Sequence, residues 1–325
     1  MNSLAGDTPK ERPVIEMHGV RKSFGKSEVL RGLDLSVPPG QTFAFLGRNG
    51  AGKTTTIRTL LGLLQADEGQ VRVLGLDPRT HALEIRKRVG YVAEDPVMFG
   101  WMRVRELLSF MAPFYPTWDN AWAKQLTERF ELPLKTRVRH LSKGQGVRVA
   151  LLLALAHRPE LVILDDPTLG LDPIMRKEFL RDLVTYLQGE NVSVFFSSHL
   201  LYEIEPVADS VVILDHGRVV RQGATEELRA AVKRLIAPID AEKMFSELPG
   251  LLDIHRNGRQ VSAVVEDIVA ARKSLAAGGA SGDVEEIDLN LDEIFEAFVI
   301  GQKKLGEVRH RVGPLVPSPG TLGEG

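Results

Sequence analysis

The run Gly47-Arg48-Asn49-Gly50-Ala51-Gly52-Lys53-Thr54 constrains this chain more than any other feature. It satisfies every fixed position of G-x-x-x-x-G-K-[ST]. It follows Thr42-Phe43-Ala44-Phe45-Leu46, which is apolar almost throughout, as a central strand covered on both faces would be. Lys53 to Leu64 then reads as a helix, completing the strand, loop and helix that a phosphate-binding loop requires. Gly47, Gly50 and Gly52 let the backbone approach a triphosphate closely and take unusual dihedrals. Successive N–H groups of Arg48, Asn49 and Ala51 and the positive helix end would face the phosphates. Lys53 would place its ammonium between the β- and γ-phosphates, Thr54 would hold Mg²⁺, and Thr55 would reach the α/β region. The cofactors expected are therefore ATP and Mg²⁺.

A second apolar run, Leu161-Val162-Ile163-Leu164, ends in Asp165-Asp166. A carboxylate at the end of a buried strand emerges at the edge where open α/β sheets bind ligands. Asp165 there suits a metal ion bound through water. Around these motifs, strands are expected at Val14–Met17, Leu33–Val37, Val192–Ser197, Ser210–Asp215 and Arg218–Gln222, and helices at Pro173–Gln188 and His199–Val207. About 96–159 is mostly helical, with helices at Val104–Met111, Asp119–Phe130 and Gly144–His157. This is a mostly parallel sheet interrupted by a helical insertion. Residues 231–304 alternate strand and helix in the order β-α-β-β-α-β, a small α+β domain. The stretches 1–13 and 305–325 read as tails, the latter disordered.

Composition narrows the setting. A net charge of −2 over 325 residues gives no bulk attraction to nucleic acid, so no nucleic-acid partner is expected. The absence of cysteine rules out a disulfide framework and fits a reducing compartment. The longest apolar stretch, Val149 to Ala156, is too short to span a bilayer, and the N-terminus has no signal-peptide core. Work at a membrane would need a partner.

Between the two phosphate-site motifs lies Leu141-Ser142-Lys143-Gly144-Gln145, which resembles the signature motif of ATP-binding cassette (ABC) ATPases. The resemblance covers about Val14 to Leu228. Leu169-Gly170-Leu171-Asp172 looks like the family's D-loop, and Ser197-Ser198-His199 like its switch histidine. Tyr91-Val92-Ala93-Glu94-Asp95 sits where the family has its Q-loop, and Phe24 matches the aromatic that stacks on adenine. The resemblance implies a phosphate-loop ABC ATPase fold over 14–230, with a mostly parallel core sheet, an antiparallel β part and the helical insertion. It also implies ATP sandwiched between two subunits. Ser142, Lys143, Gly144, Gln145 and Asp172 would then act in trans, and His199 would contact the γ-phosphate and the attacking water.

Three departures from the family pattern stand out. Asp166 replaces the glutamate that usually acts as general base, which withdraws the carboxylate by one methylene and predicts slow hydrolysis. Lys143 replaces a glycine, and its ammonium either adds charge near the γ-phosphate or, as preferred here, projects into solvent. Glu94 replaces the Q-loop glutamine and can still ligate Mg²⁺ as an oxygen donor.

One ATPase unit, no transmembrane segment and an appended domain resemble the ATP-binding subunits of ABC exporters whose membrane subunits are separate chains. Phe114-Tyr115-Pro116-Thr117-Trp118-Asp119 resembles bacterial members of that group. The partners implied are an integral membrane permease and a second ATPase subunit, identical or homologous, on the cytoplasmic face of the membrane. Met98, Phe99, Trp101 and Met102 either meet the permease or fill the insertion's own core. Arg86-Lys87-Arg88 reads as a solvated helix face rather than a lipid contact. Two other functions stay open: a soluble ABC-type ATPase, and a slow-hydrolysing regulatory ATP-binding module.

Overall fold

In the computed structural model of the protein, residues 12–187, 192–198, 204–278 and 284–301 are described. The chain divides into two units between Glu226 and Glu227. In the first, β1 (Ile15–Phe24), β2 (Ser27–Val37) and β4 (Glu68–Val73) form an antiparallel sheet in the order β2-β1-β4. A six-stranded sheet holds β3 (Thr42–Gly47), β5 (Val89–Val92), β6 (Leu161–Asp165), β7 (Ser193–Ser198), β8 (Ser210–Asp215) and β9 (Arg218–Ala224). Its order is β5-β6-β7-β3-β8-β9, parallel except for β9, which returns antiparallel along β8.

Burial explains the two patterns. Every residue of β3, β6 and β7 is buried; β3 and β6 carry near-continuous apolar runs, and β7 sets Val194, Phe195 and Phe196 between buried serines. β1 and β2 mix buried and exposed residues, as half-covered strands do. One apolar core joins both sheets: Ile15, Met17, Leu33 and Leu35 share it with Phe43, Phe45, Ile163 and Phe195. Phe195 sits 4.9 Å from Phe45 and 6.0 Å from Phe43, centroid to centroid.

Helix α1 (Lys53–Leu60) is shorter than the expected Lys53–Leu64. It ends in a left-handed turn at Gly62 (φ 64°), with Leu63 N donating to Arg58 O and Gly62 N to Thr59 O. A Cβ at Gly62 would run into Pro78 O and Ala82, so only glycine fits. The segment β4–α2–β5 was not among the expected elements. In α2 (Pro78–Arg88) only Pro78 and Ile85 are buried, too few for a clear helical period. Tyr91 and Val92, read as loop, close the short strand β5.

The insertion carries α3 (Val104–Met111), α4 (Asn120–Arg129) and α5 (Lys143–Leu155), and α6 (Pro173–Leu187) follows β6. The expected helix His199–Val207 begins outside the described residues. In the second unit, β10 (Lys233–Pro238), β11 (Leu251–Asn257), β12 (Gln260–Val265) and β13 (Glu285–Asp288) form an antiparallel sheet, β11-β12-β10-β13. Helices 242–246 and 268–277 cover it, with Phe245, Leu248, Ala271 and Leu275 in its core. The expected tail 305–325 lies outside the described residues. No helix among those described is long and apolar enough to cross a membrane.

Candidate functional site

The phosphate loop is held open from below. Gly50 and Gly52 take φ of 80° and 111°, which L side chains resist. A Cβ at Gly47 would stand 2.9 Å from Leu214 O, and one at Gly52 2.9 Å from Leu30 Cδ2, so β8 and β2 leave no room for either. The turn between β8 and β9 clamps the loop, with Gly217 N donating to Ala51 O at 3.0 Å. Sequence reading missed that clamp: His216-Gly217 looked like a plain turn between two strands.

A cavity of about 430 Å³ opens above, lined by Arg48, Asn49, Gly50, Gly52, Lys53, Thr54, Thr55, Val29, Glu94, Asp166 and Leu169. Seven of these are phosphate-loop or adjacent helix residues already singled out, so the loop motif and the cavity coincide. Val29 carries no motif and could not have been found from sequence, whereas Leu169 opens the stretch that resembles the D-loop. Phe24 is half exposed at the end of β1, with the Lys22 ammonium 5.7 Å from its ring centroid. Val29, not Phe24, represents the antiparallel sheet in the cavity wall.

Lys53 is buried, donates to Gly47 O at 2.8 Å and stands 3.6 Å from Asp166 Oδ2. Asp166 is itself buried and has φ 44°. Its N–H donates to Ser197 O, which ties the end of β6 to β7. Asp165 is 2 % exposed. Burial pushes its carboxyl above the usual carboxylate range, the Thr54 hydroxyl pulls the other way by hydrogen bonding, and the charges of Asp166 and Glu94 raise it further. Its Oδ1 has no hydrogen-bond partner. An orphaned buried carboxylate oxygen beside a threonine hydroxyl suits a hard divalent cation. Among the described residues no three metal-type side chains cluster, so such a cation would draw its other ligands from phosphate and water.

The signature begins α5. Ser142 is its N-cap: Gln145 N donates to Ser142 Oγ at 3.2 Å, and Ser142 N donates to Gln145 Oε1 at 3.1 Å. Both side chains are thus fixed at a helix N-terminus that carries positive dipole charge. Gly144 is buried against Met175, whose Sδ and Cε occupy the space of a Cβ. Lys143 is exposed, as expected. Its ammonium lies beside Gly170, close to where a Cβ there would stand. Asp172 serves its own chain as a cap of α6, accepting from Ile174 N at 2.9 Å and Met175 N at 3.0 Å. His199 lies outside the described residues.

The apolar group after the Q-loop splits in two. Met102 is buried, which selects the second of its two expected places, the insertion's own core. Phe99 and Trp101 are exposed and extend into an edge-to-face row with Phe110 and Phe114. Met98 lines a neighbouring groove of about 290 Å³ with Tyr91, Pro96, Tyr115 and Leu153. Of the expected solvated face, Lys87 is exposed, while the half-buried Arg86 donates to Leu61 O and the half-buried Arg88 makes a two-pronged bond to Glu160.

The family model described as "ABC transporter" matches residues 30–169, from β2 through the turn after β6. The chain is 31 % identical over 297 residues to the ABC transporter ATP-binding protein YhaQ of Bacillus subtilis (strain 168), covering 89 % of this chain and 97 % of that protein. It is 32 % identical over 299 residues to the daunorubicin resistance ATP-binding protein DrrA3 of Streptomyces coeruleorubidus, covering 86 % and 94 %. The bacitracin transport ATP-binding protein BcrA of Bacillus licheniformis is 35 % identical over 218 residues, 66 % of this chain and 71 % of that one. A solved structure of the ATP-binding subunit of an ABC transporter superposes with a TM-score of 0.61 at 29 % identity, covering 67 % of this chain and 92 % of that chain.

Proposed function

This chain belongs to the ABC transporter ATP-binding subunits, and from that premise we propose that it hydrolyses ATP to drive a separate membrane permease of the exporter type. The observation that carries the reading is the cavity in which Lys53, Thr54, Thr55 and Asp166 converge above the phosphate loop. Export is favoured by likeness over most of the chain to a daunorubicin resistance protein and by likeness to a bacitracin transport protein.

In the proposed reaction the N–H groups of Gly50 to Thr54 and the Lys53 ammonium hold the triphosphate of ATP. Thr54, Asp165 and Glu94 would hold Mg²⁺, which when bound neutralises phosphate charge. Asp166 takes a proton from the attacking water as its oxygen bonds to the γ-phosphorus, while the bond from that phosphorus to the β–γ bridging oxygen breaks. ADP carries the released electron pair. His199 is assigned to the γ-phosphate by the resemblance alone, as Phe24 is to adenine.

Ser142 is exposed at the N-terminus of α5, and residues 142–145 do not line the cavity above the phosphate loop. We assign Ser142, with Lys143, Gly144, Gln145 and Asp172, to the ATP bound by a second subunit, for which another copy of this chain suffices. The exposed row Phe99, Trp101, Phe110 and Phe114, with the groove beside Met98, is the surface offered to the permease at the cytoplasmic face. Purification from detergent-solubilised membranes tests this: an integral membrane chain should accompany the protein, and Trp101→Ala with Phe99→Ala should weaken that recovery. Recovery with no membrane chain, or with one that survives both substitutions undiminished, would contradict it.

A further inference from the structure

The β1–β2 hairpin outruns the sheet it belongs to. Pairing of β1 with β4 stops at Arg21 opposite Glu68, while pairing with β2 continues through Ser23 opposite Glu28 to Phe24 opposite Ser27. Residues 22–27 are therefore a two-stranded tip, and a ribbon of that kind frays without further support. The ladder is irregular there too, with a register shift between Lys22 and Ser23. Phe24 stands at this tip, half exposed. Asp67, the residue before β4, supplies the missing support. Its N–H donates to Arg21 O at 2.9 Å, its Oδ1 accepts from the Lys22 ammonium at 2.6 Å, and its Oδ2 accepts from Ser23 N at 2.7 Å. One residue thus grips three consecutive residues of β1, the last of them the neighbour of Phe24.

The bonds from Lys22 and Ser23 hold the Asp67 carboxyl below the usual carboxylate range, so it is charged at neutral pH. The Lys22 side chain is 14 % exposed, and its ammonium lies 5.7 Å from the Phe24 ring centroid. The Asp67 side chain is 44 % exposed, and a pair this open adds little to stability. What the three bonds fix is where the ring stands. Val29, further along β2 in the same hairpin, lines the cavity above the phosphate loop, so the hairpin reaches the nucleotide site. Resting on the reading that Phe24 meets adenine, we propose that Asp67 is a positioning residue for the base of ATP. By holding Lys22 and Ser23 it seats the Phe24 ring before nucleotide arrives, so less ordering is left to be done when the base stacks. The triphosphate rests on the phosphate loop and gains nothing from Asp67. The two halves of ATP should therefore respond differently when Asp67 is removed.

Steady-state assays on the full-length chain test this, with inorganic tripolyphosphate as a competitive inhibitor that reports on the phosphate loop alone. Where hydrolysis is slower than ATP dissociation, KM equals the dissociation constant. Asp67→Ala should raise the KM for ATP about three- to fivefold, the cost of ordering a side chain or two on binding. It should leave kcat and the Ki of tripolyphosphate within about twofold, since neither the loop nor the reacting groups change. Phe24→Ala should raise KM about fivefold or more, the low end for a base stacked on an aromatic ring. In the Phe24→Ala background Asp67→Ala should do nothing further, because no ring is left to seat. Lys22→Met keeps the stem and loses the ammonium, and should raise KM in the same sense by about twofold. It carries the cycle if Asp67→Ala brings the thermal midpoint below the assay temperature. An unchanged KM in Asp67→Ala, a Ki that rises with it, or losses that add to those of Phe24→Ala would overturn the proposal. If Phe24→Ala itself leaves KM unchanged, the adenine reading fails. If Phe24→Ala raises KM and Asp67→Ala does not, only the positioning role fails.

Discussion

The Lys53 ammonium stands 3.6 Å from Asp166 Oδ2 while donating to Gly47 O, so the cation that the proposed reaction assigns to phosphate is held beside the carboxylate it assigns to water. The two charges hold each other in place before nucleotide arrives, and a triphosphate would compete for the ammonium. The carboxylate then becomes available to the attacking water.

Asp166 is one methylene shorter than the glutamate usual in the family. Asp166→Glu should raise kcat about tenfold, within the span that a misplacement on the order of 1 Å can cost. The φ of 44° at this position tolerates aspartate better than glutamate, so a lower thermal midpoint should accompany the gain. Steady-state ATPase assays decide it, and a fall in kcat contradicts the short-base account.

Burial works against the charge on Asp165, and Oδ1 has no internal partner. Asp165→Asn should therefore raise the thermal midpoint in the absence of Mg²⁺ and nucleotide, yet abolish Mg²⁺-dependent turnover. Scanning calorimetry with and without Mg²⁺ and ATP separates the two. A variant that is both less stable and fully active would remove Asp165 from the metal site.

Two glycines of different surroundings should respond differently to alanine. At Gly90 on β5 the new Cβ would run into Ala154 O, a backbone atom of α5, and overpacking of that kind costs about 1–3 kcal/mol. At Gly144 it would meet the flexible end of Met175, which can swing aside. Denaturant titration should show the larger loss for Gly90→Ala, whereas Gly144→Ala should lose turnover more than stability. Equal stability losses would contradict the packing described.

Arg88 holds the Glu160 carboxyl below its usual range, chiefly by hydrogen bonding, at 2.6 and 2.8 Å. Both side chains are partly exposed, so Glu160→Gln should cost only about 0.2–1 kcal/mol. A carboxylate with a depressed folded pKa contributes stability above its unfolded value, and the contribution is lost as pH falls through the folded one. The difference between the proteins should be full at neutral pH and shrink below about pH 4.5, the ordinary glutamate value. A difference that grows on acidification would reverse the assignment.

The sequence showed most of this wherever a motif coincided with strong burial. Thr42–Thr54 and Leu161–Asp166 combine a fully buried strand with a loop of special residues, and the structure brings both into one cavity. The appended sheet was legible because its short strands alternate with helices. The segment β4–α2–β5 was not, because α2 buries only two side chains and β5 has four residues. Contacts between segments distant in sequence stayed hidden for a different reason. The Gly217–Ala51 clamp, Val29 in the cavity and the nearness of Lys143 to Gly170 depend on tertiary packing, which no local period encodes.

The central claim is that Lys53 and Ser142 of one chain serve two different ATP molecules, and mixing two inactive variants tests it most directly. Lys53→Ala and Ser142→Ala should each be inactive alone. In a mixed dimer, the intact Lys53 of one chain faces the intact Ser142 of the other, rebuilding one site. An equimolar mixture should recover turnover, up to about a quarter of wild type, since half the dimers are mixed and each holds one complete site. A mixture no more active than its separate components would place both residues at the same ATP and contradict the account.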